Sequence, residues 1–392
     1  MVAQLGYCTN VHAGVELDEL EANLAHYALA VQRQFRKGAP MGLGLWLPAT
    51  AARALQDPDR LGRLARWLDE HHLVPFTLNG FPYGYFHQTI VKFDVYRPDW
   101  SDPRRLEYTL DLIHALDGLL PPGMEGSIST LPIAWGIPRP NPTELRRAAR
   151  NLCRITDYLA ALESDAGRLI YLCLEPEPGC VLQRSDDVIR FFAKYLLPAG
   201  NESYVRRYLR VCHDICHSAV MFENQADVLH DLFRAGIQVG KVQISAAVRA
   251  DFDRLSDADR SMAAAELGAF VEHRYLHQTS VLPAGEMTSH FFADLPDALA
   301  DASVRGPLTG HWRVHFHVPI FLDKLDQVRT TRDEICKALR VLAGQETIVH
   351  YEVETYAWNV LPAALRQPTL ADGIAAEMTW AAEELENGGK NI

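Results

Sequence analysis

The sequence predicts an α/β fold closed into a (β/α)8 barrel, on three observations. Short apolar or β-branched runs alternate with longer segments of helical period, about eight strand candidates are interleaved with helices, and carboxylates and imidazoles recur where the runs end. An open, doubly wound parallel sheet is the alternative architecture.

In chain order the strand candidates are Gln4 to Thr9, Gly42 to Leu47, Leu73 to Leu78, Gly126 to Leu131, Leu169 to Leu174, Leu209 to His213 and Lys241 to Ser245, with two late runs, Arg313 to Val318 and Thr347 to Glu354. The helix candidates between them are Leu17 to Arg36, Pro58 to His71, Pro103 to Leu119, Asn141 to Leu162, Ser185 to Leu196, Gln225 to Ala235, Ser256 to His273 and Thr330 to Ala343. Ser101-Asp102-Pro103 and Asn141-Pro142-Thr143-Glu144 each place a capping side chain before a first-turn proline. Leu106, Leu110, Ile113, Leu116 and Leu120 recur at spacings of three and four, the stripe a helix buries. With nine strand-like runs for eight positions, the stretch from about 246 to 311 reads as a late insertion, with Arg274 to Val281 as a hairpin or lid. From about residue 363 the chain reads as a helical tail. No linker or repeat divides it, so residues 1–392 are expected to form a single barrel domain.

Composition bounds the function. The 392 residues include 38 Lys+Arg and 50 Asp+Glu, a formal charge of −12, which argues against a nucleic-acid partner. Met1 to Val15 holds neither a basic segment nor an apolar signal core, and no apolar run of about 18 residues occurs, so a cytoplasmic protein without membrane insertion is expected. A homo-oligomer is compatible with this composition. The 7 cysteines include no CxxC pair and read as reduced, buried thiols. There is no GxxxxGK[ST] loop, no dinucleotide fingerprint and no GxSxG elbow, so neither ATP, NAD nor serine-hydrolase chemistry is expected.

In a barrel, function lies at the carboxyl ends of the strands. Here these ends read Leu174-Glu175-Pro176-Glu177, Cys212-His213-Asp214-Ile215-Cys216-His217, Val242-Gln243-Ile244-Ser245 and His350-Tyr351-Glu352-Val353-Glu354-Thr355, and a late strand reads His315-Phe316-His317. Alternate residues share a face of a strand, so His315 with His317, and Glu352 with Glu354, are expected to point into the barrel. Gathered carboxylates and imidazoles suit a divalent metal such as Zn, Mn, Co or Fe. The aromatic-rich segment Asn79 to Trp100 follows the third strand and reads as a substrate-covering loop, with Asn79, His87 and Lys92 facing the ligand. His277, in the insertion, is expected to reach over the mouth. Asn10, His12 and Trp135 are further rim candidates.

The order of Glu175 at a strand end, Asp214-x-x-His217, His315-x-His317 and a final Glu354-Thr355 resembles the xylose-isomerase-like TIM-barrel superfamily, which includes sugar epimerases and endonuclease IV-type enzymes. The resemblance implies a (β/α)8 TIM barrel with Glu175, Asp214 and Glu354 as metal ligands. In place of the histidine common on the seventh strand this chain has Gln243, a weaker ligand, and His317 or His315 is then expected to supply the imidazole. The segments Asn79-Gly80-Phe81-Pro82-Tyr83-Gly84-Tyr85-Phe86-His87, Tyr96-Arg97-Pro98-Asp99-Trp100, His277-Gln278 and Glu352-Val353-Glu354-Thr355-Tyr356 further resemble the EboE metabolite-traffic protein family, over roughly Leu5 to Trp358. That resemblance implies a link to traffic of secondary-metabolite precursors.

Together these readings imply a metal-dependent isomerase or epimerase for a hydroxy-carbonyl substrate, sugar-like or phosphorylated. Glu175 and Glu354 would exchange protons, His217 would bond the substrate oxygen, and His315 and Glu352 would line the substrate. Zn or Mn is the expected metal, with Mg, Co or Fe as alternatives. Two further readings stay open: a metal-dependent phosphoester hydrolase of endonuclease IV-like type, and a metabolite carrier without catalysis.

Overall fold

The structure, a computed structural model, describes residues 4–305, 307–345, 348 and 350–390. Eight parallel strands close into a barrel: β1 (Gln4–Cys8), β2 (Met41–Trp46), β3 (Leu73–Asn79), β4 (Gly126–Thr130), β5 (Ile170–Leu174), β6 (Leu209–Asp214), β7 (Val239–Ile244) and, last in sequence, β13 (His350–Val353). β13 sits between β7 and β1, where Tyr351 pairs with Val242 and with Leu5. Among the described residues, no helix is long and apolar enough to cross a membrane.

The helices form where capping and periodicity predict them. Asp102 accepts a bond from Arg104 N at 2.9 Å ahead of helix Pro103–Leu119. Asn141 and Glu144 form a reciprocal capping box at the start of helix Pro142–Ala166, which ends at Gly167 with φ +66°. The run expected from Leu17 to Arg36 is helical to Phe35, with a wider π-type turn over Leu24–Ala28. The helix expected from Ser256 to His273 stops at Gly268 instead, and the released chain carries Tyr275 and Gln278 into the barrel mouth.

The insertion is larger than the sequence suggested. β7 ends at Ile244, and after Ser245 the chain enters β8 (Ala246–Asp251) of a second, antiparallel sheet. This sheet also holds β9 (Thr279–Leu282), β10 (His290–Phe292), β11 (His311–Val318) and β12 (Arg329–Thr330), in the order β10-β9-β11-β8-β12. The insertion therefore runs past residue 311 to Thr330, and Arg313 to Val318 is not a barrel strand. Its apolar alternation predicts a strand correctly but carries no information on which sheet receives it. Of the run expected from Thr347 to Glu354, Thr347 and Val349 lie outside the described residues. The C-terminal part comprises a short turn, Ala363–Leu365, and helix Leu370–Lys390, which packs on helix Leu29–Phe35.

Period-two alternation stacks polar side chains up the barrel axis. The lowest layer joins His350 to Ser127 Oγ at 2.8 Å and to Tyr171 OH at 3.1 Å, and Ser127 to Thr77 at 2.7 Å. Two residues further along the strands, Lys241 donates to Glu352 at 2.8 Å and to Ser129 at 3.2 Å, with the Lys241 and Glu352 side chains fully buried. The next step brings Asn79, Glu175, Asp214, Gln243 and Glu354 to the mouth. Arg105, buried in helix Pro103–Leu119, fixes the loop after β3 by donating to the carbonyls of Gly80, Phe81 and Pro98 at 2.8–2.9 Å.

Candidate metal centre

Glu175, Asp214 and Glu354 bring one carboxylate oxygen each within 4.8 Å of one another at the barrel mouth. Asp214 ends β6 and caps the helix Ile215–Val220. Its Oδ1 accepts from His217 N and from Ser245 Oγ, both at 2.8 Å, which is why an Asp-x-x-His spacing returns the imidazole to the same site. Its Oδ2 has no hydrogen-bond partner among the described residues, nor has Glu175 Oε2. Glu354 is held more firmly: its Oε1 accepts from Asn10 at 2.7 Å and Asn79 at 2.9 Å, and its Oε2 from Gln243 at 2.9 Å. Gln243 thereby directs its amide nitrogen at Glu354 and leaves Oε1 without a partner.

Three imidazoles complete the cluster. β11 pairs regularly with β8 as far as Val314 opposite Val248, but Val318 then lies opposite Ala246, so the segment between bulges. Bulges re-aim side chains, and this one turns His315 and His317 toward the barrel mouth from the inserted sheet rather than from within the barrel. Each imidazole has its Nδ1 committed to an oxygen that accepts only: His217 to Pro176 O at 3.0 Å, His315 to Gln278 Oε1 at 2.7 Å and His317 to Glu354 O at 2.6 Å. Gln278 cannot reverse this role, because its Nε2 donates to Glu177 and Tyr96 at 2.8 Å. These partners fix the Nδ1–H tautomer and leave each Nε2 with a free lone pair. His217 Nε2 and His315 Nε2 face each other at 3.3 Å, and His317 Nε2 is 3.9 Å from Asp214 Oδ2.

Burial sets the electrostatics. It raises Glu175 well above the usual carboxylate range, with Glu354 and Asp214 adding to the effect, and it raises Glu354 and Asp214. Glu177 is pushed to about 7 by burial, against the bonds from Tyr96 and Gln278 that favour its charge. Burial lowers His217 to about 3 and His317 to about 4, and takes His315 well below its ordinary value. Neutral imidazoles with free Nε2 atoms, beside carboxylates that repel one another and hold unpartnered oxygens, are the donor set a divalent cation satisfies. Glu175, Asp214 and Glu354 form one such set, and Asp214 also groups with His217 and His317. Glu177, His217 and His315 form a neighbouring three-residue cluster.

Above the cluster lies a cavity of about 530 Å³, including its opening to solvent. Asn10, Asn79, Lys92, Glu175, Glu177, His217, His315, His317 and Glu354 line it, with apolar walls from Phe81, Phe86, Val91, Tyr275, Leu276 and Tyr356. Three expected substrate contacts lie elsewhere. Glu352 is beneath the centre, paired with Lys241, because its strand position is one layer down. His87 bonds Asn10 O at 2.6 Å and packs on Trp46 and Phe86. His277 bonds Glu272 at 3.0 Å and stacks on Phe316. Lys92 reaches the cavity but is ion-paired with Asp294 at 2.5 Å. Lys241, Ser245, Tyr275 and Tyr356 were given no site role from the sequence, although Ser245 and Tyr356 stand in the runs quoted above. Lys241 precedes Gln243 by two residues, so strand alternation alone would have placed it in the barrel.

No family model matches the sequence, and no curated protein matches it. Its shape is similar to that of a xylose isomerase-like TIM barrel protein from Mycobacterium smegmatis in complex with magnesium, with a TM-score of 0.52 and 11% identity, covering 99% of this chain and 98% of that one. It is also similar to IOLI protein with a bound zinc atom (TM-score 0.48, 12% identity, 99% and 98% covered) and to the probable 3-DHS dehydratase AsbF from Bacillus anthracis (0.48, 13%, 97% and 98%). The fold is a (β/α)8 barrel with an inserted sheet, similar in shape to the xylose isomerase-like TIM barrel protein from Mycobacterium smegmatis, and at 11% identity the likeness concerns the fold alone.

Proposed function

We propose that this protein is a metal-dependent isomerase or epimerase acting on a small hydroxy-carbonyl metabolite, within the precursor traffic that the sequence resemblance implies. The observation that carries this reading is the set of unpartnered buried ligand atoms, Glu175 Oε2, Asp214 Oδ2 and His317 Nε2, beside Glu354 at the floor of the cavity. Glu175, Asp214 and Glu354, with His317 beside Asp214, would hold a divalent cation, zinc or manganese foremost, which would supply Lewis-acid polarisation of a carbonyl.

The two glutamates differ in freedom. Three amide donors orient Glu354, whereas Glu175 keeps Oε2 unpartnered, which suits it to move a proton between adjacent carbons. His217 was expected to bond the substrate oxygen, and its tautomer defines how: Nε2 accepts the hydrogen of a substrate hydroxyl. Phe86, Tyr275 and Tyr356 exclude water from the reacting carbons. The test is solvent deuterium exchange at the carbon next to the carbonyl, followed by NMR over a panel of ketoses and aldoses with metal-loaded protein. Glu175→Gln should slow exchange by about 10²-fold or more. Full turnover by both Glu175→Gln and Glu354→Gln would remove the proposal.

One observation favours a second reading, a two-metal phosphoester hydrolase. His217 Nε2 and His315 Nε2 are both acceptors, yet face each other at 3.3 Å. That is the separation of two nitrogens sharing a tetrahedral cation at about 2.05 Å, and Glu177 is the third residue of that cluster. Two bound equivalents of metal with phosphatase activity would support it.

A further inference from the structure

We propose that the inserted sheet carries a second binding site, a groove lined by a row of arginines that takes the diphosphate group of a small molecule. The described lining of this groove shares no residue with the cavity above the metal centre, and the site stands whether or not the function proposed for that centre holds.

The strand register sets the row. Arg313 on β11 lies directly opposite Arg249 on β8, and Arg329 on β12 lies opposite Arg249 from the other side. Directly opposed residues stand on one face of a sheet with Cβ atoms about 5 Å apart, and like charges so placed repel. All three arginines line a groove of about 1270 Å³, open solvent included, together with Arg254 and His311. Asp251 is the one carboxylate among the described lining residues.

The carboxylates around the row do not cancel it. Arg249 pairs with Asp333 at 2.8 Å, Arg313 approaches Glu334 at 3.5 Å, and Arg329 pairs with Asp323 at 2.5 Å. Lys337 also donates to Asp333 and to Glu334, both at 3.1 Å, so those two carboxylates serve three cations. Asp251 is likewise divided between Arg254 at 2.9 Å and His311 at 3.2 Å. Each guanidinium carries five N–H donors in a planar fork, more than these partners accept. Arg313 is placed before any ligand arrives, with its guanidinium 4.4 Å from the centre of the Phe222 ring and donating to Ala219 O at 2.6 Å.

The spacing selects the ligand. Neighbouring strands run about 4.8 Å apart, so three guanidinium groups on three strands leave two gaps of about that size. A phosphate bridging each gap takes N–H donors from the arginines on both sides, and the row therefore suits two linked phosphate groups better than one. Leu255, Leu282 and Trp312 add apolar surface along the same groove, which suits an organic substituent on the diphosphate.

The experiment is calorimetric titration of the full chain with pyrophosphate, uridine diphosphate and orthophosphate. A diphosphate should bind at one equivalent and at least about tenfold more tightly than orthophosphate. Arg249→Gln, at the centre of the row, should weaken that binding by about tenfold or more. Arg329→Gln should weaken it in the same direction, and since the Arg329 side chain is half exposed it carries the test should Arg249→Gln fail to fold. Arg150→Gln, exposed on helix Pro142–Ala166, should leave binding unchanged. A diphosphate also ligates metal ions, so the Asp214→Ala/Glu354→Ala variant is titrated alongside and should bind as the wild type does. Tighter binding of uridine diphosphate identifies an organic diphosphate as the ligand, tighter binding of pyrophosphate the free ion, and either supports the inference. No binding, binding no tighter than that of orthophosphate, binding that folded arginine variants leave intact, or binding lost in Asp214→Ala/Glu354→Ala overturns it.

Discussion

Replacing Lys241 by methionine tests the layered interior directly. The Lys241 and Glu352 side chains are fully buried and 2.8 Å apart. Burial works against the ammonium, but Glu352, with Cys212 and Cys8 adding to it, holds Lys241 above its ordinary range. The net stability of such a pair is small, because desolvating both ions offsets most of their attraction, but removing one partner strands the other and costs about 3–5 kcal/mol. At an unfolding entropy of about 2.1 cal/mol/K per residue, a chain of this length should lose about 4–6 °C in Tm. Differential scanning calorimetry in excess chelator reads this without a metal contribution. The double variant Lys241→Met/Glu352→Gln, which leaves no charge stranded, should regain at least half of the loss. A single variant within about 1 °C of wild type, or a double variant no better than the single, would refute the reasoning.

Two further outcomes follow from the same interior. Gly44 on β2 lies against the Glu352 carboxylate, and a methyl group there would overlap Oε1, so Gly44→Ala should destabilise the fold by about 1–3 kcal/mol in denaturant titration, more than a Gly→Ala change at exposed Gly84. Glu377 is buried, accepts from Thr355, Trp358 and the Ile320 amide, and is raised by burial from 4.5 to about 7. Its folded value lies above its unfolded one, so its contribution to stability is complete below about pH 4.5 and is lost as pH rises through about 7. Relative to Glu377→Gln, wild-type protein should therefore lose about 3 kcal/mol between these limits, and a pH-independent difference would contradict this.

Much of the barrel was legible because strand and helix periods are local properties. Pro103 to Leu119 was delimited by an aspartate cap and its proline, and Glu175, Asp214 and Glu354 were visible as strand-end residues. The role of Arg313 to Val318 was not, since alternation predicts a strand but not its partner, and only the bulge opposite β8 explains how His315 and His317 reach a barrel they do not belong to. His87 and His277 were misplaced for the complementary reason. A polar residue in a loop or insertion can be claimed by a nearby carbonyl or carboxylate, here Asn10 O and Glu272, and no periodicity records that. Glu352 and Glu354 share a face, but one lies a layer lower, where the unanticipated Lys241 meets it.

The account stands on a divalent cation at the strand-end cluster, and elemental analysis of protein purified without chelator or affinity-resin metal addresses it most directly, with the Asp214→Ala/Glu354→Ala double variant beside it. At least about one equivalent of divalent metal in the wild type, absent from a folded double variant, is the result expected, and a second equivalent lost in His315→Ala would assign the His217–His315 pair to another cation. Equal metal in both proteins, or none in either even after addition of zinc or manganese, would contradict it.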